Sequence, residues 1–259
     1  MLFSANLGFL WTERPLHEAI YAAKAAGFDA VECHWPDKTE IDAISRALDE
    51  TKLPLLGLNT SRGDVSAGEN GLCALPLRID EARASIDQAL DFAVALSCHN
   101  IHVMAGNISG DEAAHCFIDN LQYACNKAAM HDITILIEPL NPRDAPGYFL
   151  NDIHQARDLI ERSDRPNIKL MFDIYHMQLL HGDVADLFKN ALDIIGHIQF
   201  ASVPHRGAPD EGVLDFHHLF HEIKKAGYHA PLGAEYKPAN GDTDASLAWL
   251  SHWQDATSF

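Results

Sequence analysis

An alternation repeated from end to end constrains this chain more than any other feature. Eight short, largely apolar runs lie at 2–7, 30–33, 53–59, 100–105, 133–139, 168–173, 196–201 and 232–236. Between and after them come eight segments with apolar residues every three or four positions, at 14–26, 41–51, 79–96, 111–130, 151–162, 184–192, 216–226 and 244–252. In 79–96, for example, Ile79, Ala82, Ile86, Leu90, Ala93 and Leu96 trace one helical stripe. Buried strands joined by amphipathic helices assemble into parallel α/β structure. Eight such units in 259 residues predict one (β/α)8 TIM barrel over 1–259. An open doubly wound sheet is the alternative, and the missing glycine-rich phosphate turn after the first run counts against it. Gly27 and Gly227 are placed to end helices, and Asn151 and Asp244 to begin them. The long connection at 60–78, rich in Gly, Ser and Asn, is expected to overhang the strand ends as a lid.

Charge narrows the partners. The chain carries 37 acidic and 19 basic residues, a net charge of −18, with no basic cluster to track phosphates. Nucleic acid is therefore not expected, and an anionic ligand would need locally placed positive charge. The five cysteines, at 33, 73, 98, 116 and 125, are scattered without a CxxC pair. They read as reduced packing residues of a cytoplasmic protein. No apolar run is long enough for a membrane span, and the opening MLFSANLGFL reads as the first strand and not as a leader.

Four consecutive units carry the chemistry. ITILIE ends on Glu138, IKLMFD ends on Asp173, IGHIQF holds Gln199 near its end, and PLGAE ends on Glu235, at spacings of 35, 26 and 36 residues. In a barrel these ends converge on the C-terminal rim, where active sites are built. One such carboxylate alone would be read as a helix cap or a surface ion pair. Four neighbouring units sharing the pattern point to a common partner, because buried carboxylates are costly when unpaired. Three carboxylates and an amide oxygen suit a hard divalent cation, Mg²⁺ or Mn²⁺. His176, three residues beyond Asp173, is placed to hold a substrate oxygen or move a proton. Arg206, in VPHRGAPDEG, is placed to clamp a substrate carboxylate, with a surface pair to Asp210 or Glu211 as its alternative. Lys237, just after Glu235, is a second cation for the mouth, and His102 and His205 are weaker candidates. No GxSxG elbow offers a serine nucleophile.

Six segments together resemble the hydroxypyruvate isomerase family of xylose-isomerase-like barrels, which includes the 2-oxotetronate isomerases. They are SANL at 4–7, GDVSAGENGLCALP at 63–76, IEPLNPRDAPGYFL at 137–150, FDIYHMQ at 172–178, GHIQFASVPHRGAPDEG at 196–212 and GAEYKP at 233–238. The resemblance covers nearly the whole chain. It implies one divalent metal ion on Glu138, Asp173, Gln199 and Glu235, with Glu138 and Glu235 doubling as acid–base residues on either side of the substrate. It also implies that His176 and Arg206 contact a small anionic sugar acid. The implied reaction converts hydroxypyruvate to tartronate semialdehyde through an enediolate, or isomerises 2-oxotetronate. VECHWPDK departs from the family pattern at 34–36, so the pocket wall there is expected to differ. The lid stretch and IHVMAG at 101–106 look closer to the 2-oxotetronate isomerases, and the segments from 137 onward look closer to the hydroxypyruvate enzymes.

Three rival readings share the barrel. A ketose 3-epimerase would use the same constellation to move a proton between faces of one carbon. An endonuclease-IV-like hydrolase would need more metals, further histidine ligands and a basic surface. A non-catalytic sugar-acid sensor would not need four intact ligand positions.

Overall fold

Residues 1–36 and 40–254 are described by the computed structural model. Asp37 and Lys38, at the end of the VECHWPDK segment, lie outside the described residues. The eight runs become eight strands: β1 (Phe3–Asn6), β2 (Ala30–Glu32), β3 (Gly57–Asn59), β4 (Asn100–His102), β5 (Thr134–Ile137), β6 (Ile168–Asp173), β7 (Ile195–Phe200) and β8 (Leu232–Ala234). All neighbours pair in parallel, in the order β2-β1-β8-β7-β6-β5-β4-β3. The ring closes between β2 and the approach to β3. There Val31 bridges Leu55, and Val31 N–H, Leu56 N–H and Cys33 N–H donate across the gap at 2.8–3.0 Å. The result is the expected (β/α)8 barrel.

Around it lie α1 (Leu16–Ala26), α2 (Ile41–Thr51), α3 (Ile79–Ala95), α4 (Asp111–Ala128), α5 (Ile153–Ser163), α6 (Ile174–His181), α7 (Val184–Ala191), α8 (Phe216–Lys225) and α9 (Ala248–Gln254). The sequence pattern contains no separate α6. It starts directly on β6 because Oδ1 of Asp173 accepts the Tyr175 N–H at 2.8 Å, and it stops at Gly182. Gly27 and Gly227 do sit in the left-handed region, at φ 96° and 85°. The α5 cap is Asp152, not Asn151: its carboxylate receives the His154 and Gln155 N–H groups at 2.7 and 3.0 Å. Asp244 caps nothing and instead accepts from Trp11 Nε1 at 2.8 Å.

The strands are two-sided. Phe3 and Phe200 point outward and meet Phe220 and Trp249 at ring separations of 5.2–5.7 Å, stapling β1 and β7 to α8 and α9. Each such aromatic pair adds ~0.5–1.5 kcal/mol beyond its area. The alternate positions carry buried polar groups into the barrel: Ser4, Asn6, Glu32, His102, Asp173, His197 and Gln199. β7 reaches this register through an irregularity against β6, where Leu170 pairs with Ile195 but Met171 with His197. The skipped residue is Gly196, where a Cβ would stand 2.6 Å from Lys169 Cβ and 2.8 Å from Leu136 Cδ2.

Candidate active site

The ladder sets Asp173 beside Gln199 and Gln199 beside Gly233, so the ends of β6, β7 and β8 adjoin. Glu138 and Glu235 each follow their strand by one residue. Asn6 Nδ2 donates to Glu235 Oε1 at 2.9 Å, and Gln199 Nε2 approaches the same oxygen at 3.5 Å. Arg206 Nη2 donates to Glu235 Oε2 and, at 3.3 Å, to Asp173 Oδ2.

Arg206 is only 8% exposed, so the alternative of a surface pair with Asp210 or Glu211 is excluded. Its backbone adopts φ 56°, and its carbonyl accepts the Lys237 N–H at 2.7 Å. The guanidinium lies over the rings of Phe9 and Tyr175, 4.6 and 5.0 Å from their centroids. Stacking and two carboxylates together hold it in place.

His176 occupies the first turn of α6 for the same reason that α6 exists. Asn141 N–H donates to its Nδ1 at 2.9 Å, which leaves the ring proton on Nε2. That nitrogen faces Asp173 at 3.6 Å and Glu138 at 3.9 Å. Burial, and then the charge of Arg206, depresses His176 to about 3. The ring is therefore neutral at pH 7 and serves as a hydrogen-bond donor, not as a titrating group. Burial likewise lowers His102 to about 4.

The carboxyl groups differ in protonation. Burial, then the charges of Glu235 and Asp173, pushes Glu138 well above the ordinary carboxylate range. Burial raises Asp173 to about 8 despite Arg206. Burial also acts upward on Glu235, but Arg206 and His34 outweigh it and hold this group at about 2.

Glu138, His176, Arg206 and Glu235 line one cavity of about 140 Å³, together with Phe9, His34, Arg62, Asn70 and His102 among others. Asp173 and Gln199 are buried directly behind that lining. Lys237 and His205 are exposed and do not line the cavity. What Lys237 gives the site is its backbone, whose N–H donates to the Arg206 carbonyl at 2.7 Å.

Residues 20–253 match the model of a family described as xylose isomerase-like TIM barrel. The chain belongs to this family. It is 41% identical to a 2-oxo-tetronate isomerase of Cupriavidus necator, with 96% of each chain covered. It is 39% identical to a putative hydroxypyruvate isomerase of Xenopus laevis, over 98% of this chain and 96% of that one. The crystal structure of an AP endonuclease, family 2, from Brucella melitensis superposes with a TM-score of 0.93 at 39% identity, covering 98% and 99% of the two chains. Matched over nearly all of its residues by relatives named as isomerases, the chain is an isomerase.

Two oxygens test whether this xylose isomerase-like barrel suits a metal. Glu138 Oε1 and Gln199 Oε1 are buried acceptors with no donor. Burial without a partner costs ~1–3 kcal/mol per group, and a divalent cation is the partner that clustered oxygens accept. Oxygens of Glu138 and Asp173 lie within 4.8 Å of each other, and the His176 ring that completes this group donates through Nε2–H and does not ligate. The residues present fit the ion.

Glu32 was not singled out from the sequence, yet it decides how Gln199 is presented. Its Oε2 accepts from Gln199 Nε2 and from His197 Nε2, both at 3.0 Å. The amide nitrogen is thereby committed and the amide oxygen is left free. Gly233 makes room for this, since a Cβ there would lie 2.1 Å from Glu32 Oε1. The available signal was position: Glu32, like Asp173, ends its strand.

Proposed function

We propose that the chain is a divalent-metal-dependent isomerase of small 2-oxo-3-hydroxy acids, taking hydroxypyruvate to tartronate semialdehyde or acting on 2-oxotetronate. The observation that carries this reading is the convergence of Glu138, Asp173, Gln199 and Glu235, with two buried acceptor oxygens that have no donor. The full-length relatives named for these two substrates support it.

Moving the carbonyl from C2 to C3 requires a proton to leave C3 and one to arrive at C2, with an enediolate between. Mg²⁺ or Mn²⁺ on Glu138, Asp173, Gln199 and Glu235 would supply an electrophile for the adjacent substrate oxygens. Glu138 and Glu235 carry the proton transfer between them, since both carboxyls line the cavity and come from strands separated by β6 and β7. Positioned acid–base groups of this kind contribute ~10²–10⁴-fold. His176 Nε2–H donates to a substrate oxygen without changing its own charge. Arg206 keeps Glu235 ionised and restrains it together with Asn6. Phe9 and the 60–78 segment limit water around the enediolate.

A proton NMR time course in D₂O tests the reading. Protein stripped with EDTA receives hydroxypyruvate or 2-oxotetronate, with and without Mg²⁺ or Mn²⁺. Metal-dependent formation of the 3-oxo product, with deuterium entering the substrate carbon, is expected for one or both acids. Folded, metal-loaded protein that converts neither acid would sink the assignment and bring free ketoses forward as substrates.

A further inference from the structure

We propose that Arg62 receives the substrate's carboxylate, which makes the loop side of the cavity a carboxylate subsite and selects acids over neutral ketoses. The inference rests on the sugar-acid reading above. It arises from an electrostatic problem. The cavity lining already includes Glu138, Asp144 and Glu235, with Asp173 behind, and Arg206 is paired with Asp173 and Glu235, so an anionic substrate needs a further cation.

Two guanidinium groups line the cavity, and one is committed. Arg206 spends Nη2 on Glu235 and Asp173 and Nε on the Glu235 carbonyl at 3.3 Å, and its Nη1 lies 4.0 Å from Asp144. A substrate carboxylate there would compete with groups that the site needs ionised. Lys237 is exposed and outside the lining. Arg62 is different. Its Nε donates to Asn70 Oδ1 at 2.8 Å, and its two terminal nitrogens make no hydrogen bond to any described residue. They form the fork that matches a carboxylate.

The loop presents this fork in a fixed position. Gly71 N–H donates to the Arg62 carbonyl at 2.9 Å, so Arg62 is tied to Gly71 through its backbone and to Asn70 through its side chain. The same loop is pinned to the rim where Cys73 and Ala74 N–H donate to the Met104 and Ala105 carbonyls at 3.2 and 2.7 Å. Gly71 has φ 109°, and a Cβ there would lie 2.6 Å from the Met104 carbonyl oxygen, so the close approach requires glycine. A guanidinium held in advance loses less freedom on binding. In both candidate acids the carboxylate adjoins C2, so anchoring it at Arg62 leaves C2 and C3 facing the glutamates.

The test is steady-state kinetics of metal-loaded wild type, Arg62→Gln and Arg62→Lys with both acids, plus the inhibition constant of dihydroxyacetone, which has a hydroxymethyl group in place of the carboxylate. Removing a charge-assisted pair predicts a KM about 10–100-fold higher in Arg62→Gln. The kcat should stay within about threefold, the lysine variant should fall between, and dihydroxyacetone inhibition should not change. Wild type that works while Arg62→Gln keeps its KM overturns this inference alone. So does a fall in kcat accompanied by a shifted dihydroxyacetone constant, which marks a loosened loop. Wild type inert toward both acids overturns the sugar-acid reading and this inference with it.

Discussion

At the scale of single residues, two carboxyls are asked to move the proton and a third holds a ligand in place. Glu138→Gln and Glu235→Gln should each lower kcat by ~10²–10⁴-fold. An unchanged circular dichroism spectrum would separate lost chemistry from lost fold, and retained turnover in either would remove that residue from proton transfer. Glu32→Ala leaves the Gln199 amide free to rotate. Titration calorimetry with Mn²⁺ should then show affinity falling ~10–100-fold, as for other groups that orient a ligand, and an unchanged affinity would mean that Glu32 serves packing alone. Glu138, Asp173, Gln199 and Glu235 were legible because each closes or nearly closes a strand run in four consecutive units. Glu32 escaped because its partners, His197 and Gln199, are 165 and 167 residues away in sequence. Arg62 escaped for another reason: its meaning lies in bonds that it does not make, and spacing carries no trace of those.

At the scale of elements, the sequence pattern located every strand but overran most of their ends. The 100–105 run pairs in the ladder only as Asn100–His102, and the next residues turn over the rim toward the 60–78 loop. Burial continues past the last ladder bond, so hydropathy alone could not mark the boundary. The separate helix α6 was hidden for a similar reason: its residues through Met177 are buried, with no polar face to set a period. One element-level device can be tested directly. The β6–β7 irregularity places His197 and Gln199 inside the barrel, and Gly196 is the residue that lets the strands pass. Gly196→Ala should cost ~1–3 kcal/mol, the usual range for overpacking, read as a lower urea midpoint at unchanged m-value. A neutral result would mean that Lys169 and Leu136 yield without strain.

At the scale of the whole molecule, the buried site couples stability to pH and metal. Asp173 and Glu138 have folded values above their ordinary 3.8 and 4.5, so they contribute stability at low pH that is lost as pH rises, through about 8 for Asp173. His102 and His176 have folded values of about 4 and 3, below 6.5, so they contribute stability at high pH that is lost as pH falls below 6.5. The two effects offset between about pH 4.5 and 6.5, and above that the two site carboxyls outweigh the one opposing group, the Met1 amine, which burial lowers from 8.0. Protein in EDTA should therefore lose stability from pH 6.5 to 8, by ~1.4 kcal/mol per pH unit for each unbalanced proton, and saturating Mg²⁺ or Mn²⁺ should abolish the slope. Urea midpoints across that range check it, and an equal slope with and without metal would detach the cation from these carboxyls. The ring closure has a different kind of consequence. A closed barrel offers no free strand edge to a neighbouring molecule, yet the β2–β3 junction is held by a single bridge and a few hydrogen bonds. Parting that junction would bare two edges at once, so the narrowest link in the ring is also where a partly opened chain would first recruit another into aggregation.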